Sequence, residues 1–103
     1  MPLGLAFLGR NPILKGMNKT DFDKLQNLLD DQVSWPDYYT FKFIVKEEHK
    51  PHALSILEDH DIFERPSRSG TYTSITSKKR FSSSTEVIEV YKQMIKVEGI
   101  ISL

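Results

Sequence analysis

The segment "YYTFKFIVK", residues 38–46, constrains the fold of this chain more than any other stretch. Aromatic and β-branched residues dominate it, and strands favour both types. Because successive side chains of a strand point to opposite faces, every second residue here belongs to one apolar face. We therefore predict a strand with a buried face formed by Tyr39, Phe41, Phe43 and Val45.

A helix is predicted before this strand. Apolar residues recur there at helical spacing, at Phe22, Leu25 and Leu29. Thr20 or Asp21 is the expected cap, and the helix is expected to end before Pro36, because a residue that precedes proline is disfavoured in the α region. Trp35 then forms a corner, and its indole is expected to fold back onto the domain.

Two more helices and three more strands are predicted after the first strand. The first of these helices has Pro51 in its opening turn, and the second begins with a capping box formed by Ser83 and Glu86. The predicted strands cover residues 62–66, 71–77 and 100–103, and the first of them is an edge strand because Pro66 cannot donate to a ladder.

The resulting order is a leading helix followed by β-α-β-β-α-β. Right-handed crossovers then give an α+β fold, the ferredoxin-like sandwich, with four antiparallel strands and both crossover helices on one face. The first and third strands are expected in the centre. Residues 1–16 show no helical or strand period and are interpreted as a flexible leader, so that residues 17–103 form a single domain.

Composition limits the classes of function. The chain has 103 residues and no cysteine, and its 14 basic and 14 acidic residues give a net charge of zero. Disulfides and thiolate chemistry are therefore excluded, and no overall charge attracts nucleic acid or a membrane surface. The apolar run at the N-terminus is short and lacks a preceding basic residue, which favours a cytoplasmic protein over a secreted one.

The sequence contains no recognised catalytic or metal-binding pattern. The chain lacks a nucleophile elbow, a phosphate loop and a dinucleotide fingerprint. Its histidines, His49, His52 and His60, lack the i, i+4 spacing of a helical zinc motif and are expected to be solvated or to cap helices. We predict a protein that is not an enzyme and has no cofactor or metal.

The stretch "SRSGTYTSIT" is the first candidate binding segment. Arg68 is suited to hold an anionic group, Gly70 to let the backbone approach closely, and Tyr72 to stack or to form a hydrogen bond. The candidate residues are Ser67, Arg68, Gly70, Tyr72 and Ser74.

A second candidate surface is the helix-free face of the sheet. Residues 65–85 contain five basic residues and no acidic residue, and aromatic residues on neighbouring strands are typical of RNA-binding sheets. The third-strand motif of those sheets is incomplete, because Ser74 stands where a second aromatic is required. A solvated hairpin is therefore favoured over an RNA-binding one. The residues of this alternative surface are Tyr38, Lys42, Lys78, Lys79 and Arg80.

From about residue 20 to its last residue the chain resembles the YbeD-like family of small bacterial proteins. The resemblance rests on the Trp35-Pro36 pair before "YTFKFIV", on the turn and strand "PSRSGTYTSIT", and on the final segment "STEVIEVYKQMIKVEGIISL". It implies an ACT-like α/β fold and a regulatory protein, with a proposed link to lipoate metabolism.

Three hypotheses for function follow. The first is a regulatory or interaction module that binds a partner protein or a small anionic ligand, and the ACT-like resemblance also implies a homodimer. The second is an RNA-binding sheet, although nucleic acid is the less favoured partner. The third is an accessory subunit with a purely structural role.

Overall fold

The structure, a computed structural model, describes residues 18–102. The predicted leader, residues 1–16, lies outside the described residues, as does Leu103. In chain order the elements are α1 (Lys19–Gln32), β1 (Asp37–Lys46), a 3₁₀ turn (Glu47–His49), α2 (Lys50–Ile56), β2 (Asp61–Pro66), β3 (Tyr72–Phe81), α3 (Ser84–Met94) and β4 (Ile101–Ser102).

The four strands form one antiparallel sheet in the order β2-β3-β1-β4. β1 and β3 lie in the centre and pair over their full lengths, with Asp37 opposite Phe81 and Lys46 opposite Tyr72. The predicted α+β class and the antiparallel sheet are confirmed, and the arrangement is compatible with a ferredoxin-like fold. Among residues 18–102 there is no helix with the length and apolar character needed to cross a membrane.

The alternation predicted for β1 is present in the structure. Tyr39, Phe41, Phe43 and Val45 are buried, and they pack with apolar residues of all three helices. The Tyr39 hydroxyl is 3.0 Å from that of Tyr91 in α3, so each buried phenol has a hydrogen-bonding partner. The predicted α1 stripe of Phe22, Leu25 and Leu29 belongs to the same core. Trp35 is half-buried against this core, as expected for the corner.

Two helix caps differ from the predicted ones. α1 is capped by Asn18 rather than by Thr20 or Asp21, and Asp21 completes a capping box with it. Ser83 is the N-cap of α3, but its side chain makes no capping hydrogen bond. Glu86 instead accepts a 2.8 Å hydrogen bond from the backbone of Ser82, one residue earlier. The predicted Ser83–Glu86 capping box is therefore wrong.

β3 continues to Phe81, four residues beyond the predicted end. Its basic continuation is held in the sheet by pairing on both sides, since Lys78 lies opposite Thr40 of β1 and Asp61 of β2. This extension carries Lys78 and Arg80 onto the sheet surface.

Candidate functional site

The outer face is the face of the sheet opposite the core, and no described helix covers it. Side-chain alternation and the strand register decide its members, because residues paired across an antiparallel ladder point to the same side. They are Tyr38, Thr40, Lys42, Ile44 and Lys46 of β1, Asp61, Phe63 and Arg65 of β2, Tyr72, Ser74, Thr76, Lys78 and Arg80 of β3, and Ile101 of β4.

The outer face is strongly basic although the chain is neutral. Five basic side chains and a single acidic one, Asp61, give this face a formal net charge of +4. Within residues 18–102, none of the five forms a salt bridge. Since the whole chain carries no net charge, the balancing negative charge lies elsewhere. The five basic residues are Lys42, Lys46, Arg65, Lys78 and Arg80.

Three aromatic rings are exposed on the same face. Phe63, Tyr38 and Tyr72 are 64%, 55% and 39% exposed, and they are the exposed large hydrophobic residues of the described chain. Burying such rings against a partner is favourable, whereas leaving them in water is not. The Lys78 ammonium lies 5.1 Å from the centroid of the Tyr38 ring, so one cation already contacts a ring face.

Two charged or aromatic residues of this face, Lys46 and Phe63, were not predicted from the sequence, whereas Arg65 is one of the five basic residues of the segment 65–85. Phe63 lies opposite Thr76 and Arg65 opposite Ser74, both on the outer side. The sequence "DIFERP" alone leaves the faces of β2 open. In the structure Ile62 packs against the core, and the next residue of a strand points away from it, so Phe63 belongs to the outer face.

Lys79, which the sequence groups with this surface, lies on the opposite side of the sheet. It pairs with buried Tyr39, and its ammonium is 2.6 Å from an Asp59 carboxylate oxygen. It also lies 5.5 Å from the centroid of the Phe81 ring. Lys79 therefore contributes to the edge of the core rather than to the outer face.

The predicted binding turn is a hairpin loop that satisfies many of its own polar groups. The backbone N–H of Ser67 donates to the backbone carbonyl of Tyr72 (2.7 Å), and the Ser67 hydroxyl accepts from the backbone N–H of Tyr72 (3.1 Å). The Gly70 N–H donates to the Ser67 carbonyl (3.0 Å), and the Ser69 hydroxyl donates to that of Thr71 (3.1 Å). These bonds fix the loop, so the two serine hydroxyls have structural partners.

The structure divides the five residues of this first candidate segment. Tyr72 and Ser74 belong to the outer face, whereas Ser67, Arg68 and Gly70 belong to the exposed turn at its end. Gly70 has φ +77°, a left-handed conformation that suits glycine. The recognition roles of these residues remain predictions.

The His60 side chain is buried, whereas the sequence pattern predicts a solvated or capping histidine. Its side chain is 2% exposed and packs near the rings of Phe41 and Phe81. Its Nδ1 is 2.5 Å from the Ser77 hydroxyl. Burial lowers the pKa of the imidazole below its ordinary value, although the Asp59 carboxylate acts in the opposite direction.

The His60 cluster is too enclosed for nucleophilic catalysis. Asp59 Oδ1 lies 3.6 Å from His60 Nε2, so carboxylate, imidazole and hydroxyl follow one another as in a hydrolase. However, Ser77 is fully buried, and a substrate carbonyl has no access to its hydroxyl oxygen. Residues 18–102 also contain no group of three or more His, Asp or Glu side chains that could hold a metal ion.

Comparison of the chain with protein-family models, with curated proteins and with solved structures gave no match. The resemblance to the YbeD-like family therefore stays a prediction from the sequence.

Proposed function

We propose that this protein is a non-catalytic interaction module that holds an anionic partner on the outer face of its sheet. The observation that carries the proposal is the joint presence, on a face that no described helix covers, of a net charge of +4 and three exposed rings. Like charges crowded on one face repel each other, and an anionic partner relieves that repulsion while it covers the rings.

The same charge argues against dimerisation through this face. Two copies placed face to face would bring +4 against +4, and juxtaposed like charges cost several kcal/mol, on the order of a hundredfold or larger loss in affinity. A homodimer, which the ACT-like resemblance implies, would therefore use sheet edges or helices and leave the outer face free.

The family resemblance supports a finer form of this proposal. In that form the domain is a cytoplasmic ferredoxin-like sandwich of the ACT type, α1 is an addition ahead of the first strand, and the module regulates a partner in lipoate metabolism. The antiparallel sheet with β1 and β3 in its centre is compatible with this form.

Chromatography on heparin tests whether the outer face binds anions. In the outer-face variant three of its basic residues lose their charge, through Lys42→Gln, Lys78→Gln and Arg80→Gln. The matched control loses the same charge from exposed residues elsewhere, through Lys19→Gln, Lys24→Gln and Lys96→Gln. Circular dichroism establishes that both variants are folded.

We expect the wild type and the control to elute at similar salt and the outer-face variant to elute at clearly lower salt, because local charge governs contact with a polyanion. Equal elution of the two variants, or no retention of the wild type at low salt, would contradict the proposal.

A further inference from the structure

The rings and cations of the outer face indicate a chemical class of partner. Resting on the proposed function, we propose that the anionic partner is single-stranded nucleic acid, with bases stacked on Tyr38, Phe63 and Tyr72 and phosphates held by the basic side chains between them. Stacking on rings within a basic surface is how proteins hold single strands largely irrespective of sequence.

The rings are spaced along a path across the sheet. Tyr38 and Tyr72 lie at opposite ends of β1 and β3, eight residues apart in the register, or about 27 Å at about 3.4 Å per residue. Phe63 lies opposite Thr76, midway between those ends, on the edge strand β2. A single strand that follows the three rings therefore crosses the whole outer face rather than one corner of it.

Cations lie beside this path at each step. Lys78 is next to Tyr38, Lys42 shares a cross-strand row with Phe63 and Thr76, and Arg65 is two residues from Phe63 along β2. Hydroxyls of Thr40, Ser74 and Thr76 lie in the same rows. The outer face therefore offers rings to bases and cations and hydroxyls to phosphates.

Other partners fit the outer face less well. An amphipathic peptide helix needs a continuous apolar stripe, whereas the exposed apolar groups here are three separate rings. The major groove of duplex DNA takes a protruding helix or a two-stranded ribbon, and the outer face is a four-stranded sheet. Separate exposed rings suit unpaired bases, because the planar face of a base can stack on each ring.

The sequence alone favours a solvated hairpin over an RNA-binding sheet, whereas the rings and cations of the outer face favour nucleic acid as the partner. The third-strand motif lacks a second aromatic because Ser74 occupies that position. The structure supplies the missing ring from the neighbouring strand, since Arg65 pairs with Ser74 and Phe63 lies two residues before Arg65 in β2 on the same face. A motif written along one strand cannot include a ring contributed by another.

Fluorescence anisotropy with labelled 12-nucleotide RNA and DNA of mixed sequence tests the inference. We expect binding at micromolar concentration or better at low salt. With up to five phosphate contacts, log K should fall against log salt with a slope of about −3.5, at about −0.7 per contact for single strands. The outer-face variant retains two of the five basic residues, so its slope should be about −1.4.

Ring variants separate stacking from charge. Tyr72→Ala and Phe63→Ala should each weaken RNA binding by about 5- to 100-fold, because each removes one stacking platform. Tyr72→Phe keeps the ring and should bind like the wild type. Poly-glutamate of matched charge is the second probe, and its weaker binding should be unchanged by the ring variants.

The possible binding results distinguish the nucleic-acid inference from the anion-binding proposal on which it rests. If poly-glutamate binds as tightly as RNA, or if both alanine variants leave RNA binding unchanged, the nucleic-acid inference is overturned while the anion-binding proposal stands. If RNA, poly-glutamate and heparin all fail to bind the wild type, both are overturned. Weakening by the alanine variants but not by Tyr72→Phe supports the inference.

Discussion

Alternate residues of β1 and β3 form the two faces of the sheet, and these faces differ in burial, charge and packing. On the core face, Phe41 and Phe43 are fully buried and stack with centroids 5.7 Å apart. On the outer face, Lys42 between them is exposed and forms no salt bridge within residues 18–102. The comparison shows that one strand can present a buried apolar face and an exposed basic face, because its successive side chains point to opposite sides.

The largest effect is expected from the core face. Phe41→Ala should lower the free energy of unfolding by about 3–5 kcal/mol, because it removes a buried ring and leaves a cavity. Chemical denaturation measures this loss. The neighbouring Lys42→Ala is the matched control and should change stability by no more than about 0.5 kcal/mol. Similar losses of unfolding free energy for both variants would contradict the claim that the core face, and not the outer face, stabilises the fold.

A smaller loss of stability is expected at the hairpin that joins β2 to β3. Because Gly70 has φ +77°, Gly70→Val should cost about 1–3 kcal/mol through backbone strain. No atom lies within 4 Å of a Cβ built there, so the cost comes from conformation rather than from a clash. Gly70→Asn is the control, since asparagine tolerates this conformation better. Equal stability of Gly70→Val and wild type would show that the turn relaxes.

A pH-dependent loss of stability is expected from His60 on the core side. Its folded pKa is lowered, so below the ordinary value of 6.5 the unfolded chain takes up a proton that the folded chain resists. The stability that His60 contributes should therefore be present above about pH 6.5 and be lost as the pH falls through the folded pKa.

Denaturant unfolding from pH 8 to pH 5 measures this dependence. His60→Asn should flatten the profile in that window, whereas His52→Asn, at an exposed position, should leave it unchanged. An identical profile for wild type and His60→Asn would exclude a contribution from this imidazole.

Local patterns were sufficient to predict most of the fold. The alternation in β1 and the apolar spacing in α1 decide which side of each element is buried, and both predictions are confirmed. The last part of β3 was missed because Lys78 and Arg80 resemble loop residues, and only pairing with two other strands keeps them in the sheet. Tertiary pairing overrides local propensity there.

The site was predicted less completely than the fold, because it depends on contacts between distant residues. Burial of His60 depends on Ser77, and the outward direction of Phe63 depends on Ile62 packing in the core. Pro66 predicts that β2 is an edge strand, but it does not indicate which β2 side chains point to the core and which point to the outer face. The sequence places Lys42, Lys78 and Arg80 on a basic helix-free surface, whereas the opposite direction of Lys79 follows only from the strand register.

The most direct test of separate roles for the core face and the outer face is to measure both the free energy of unfolding and the RNA affinity of Phe63→Ala. The account predicts a free energy of unfolding within about 0.5 kcal/mol of the wild type, because Phe63 is 64% exposed. In the same buffer, affinity for the 12-nucleotide RNA should fall by about fivefold or more. A loss of stability above about 2 kcal/mol would contradict the claim that the outer face does not hold the fold, and unchanged RNA affinity would contradict the claim that Phe63 stacks on a base.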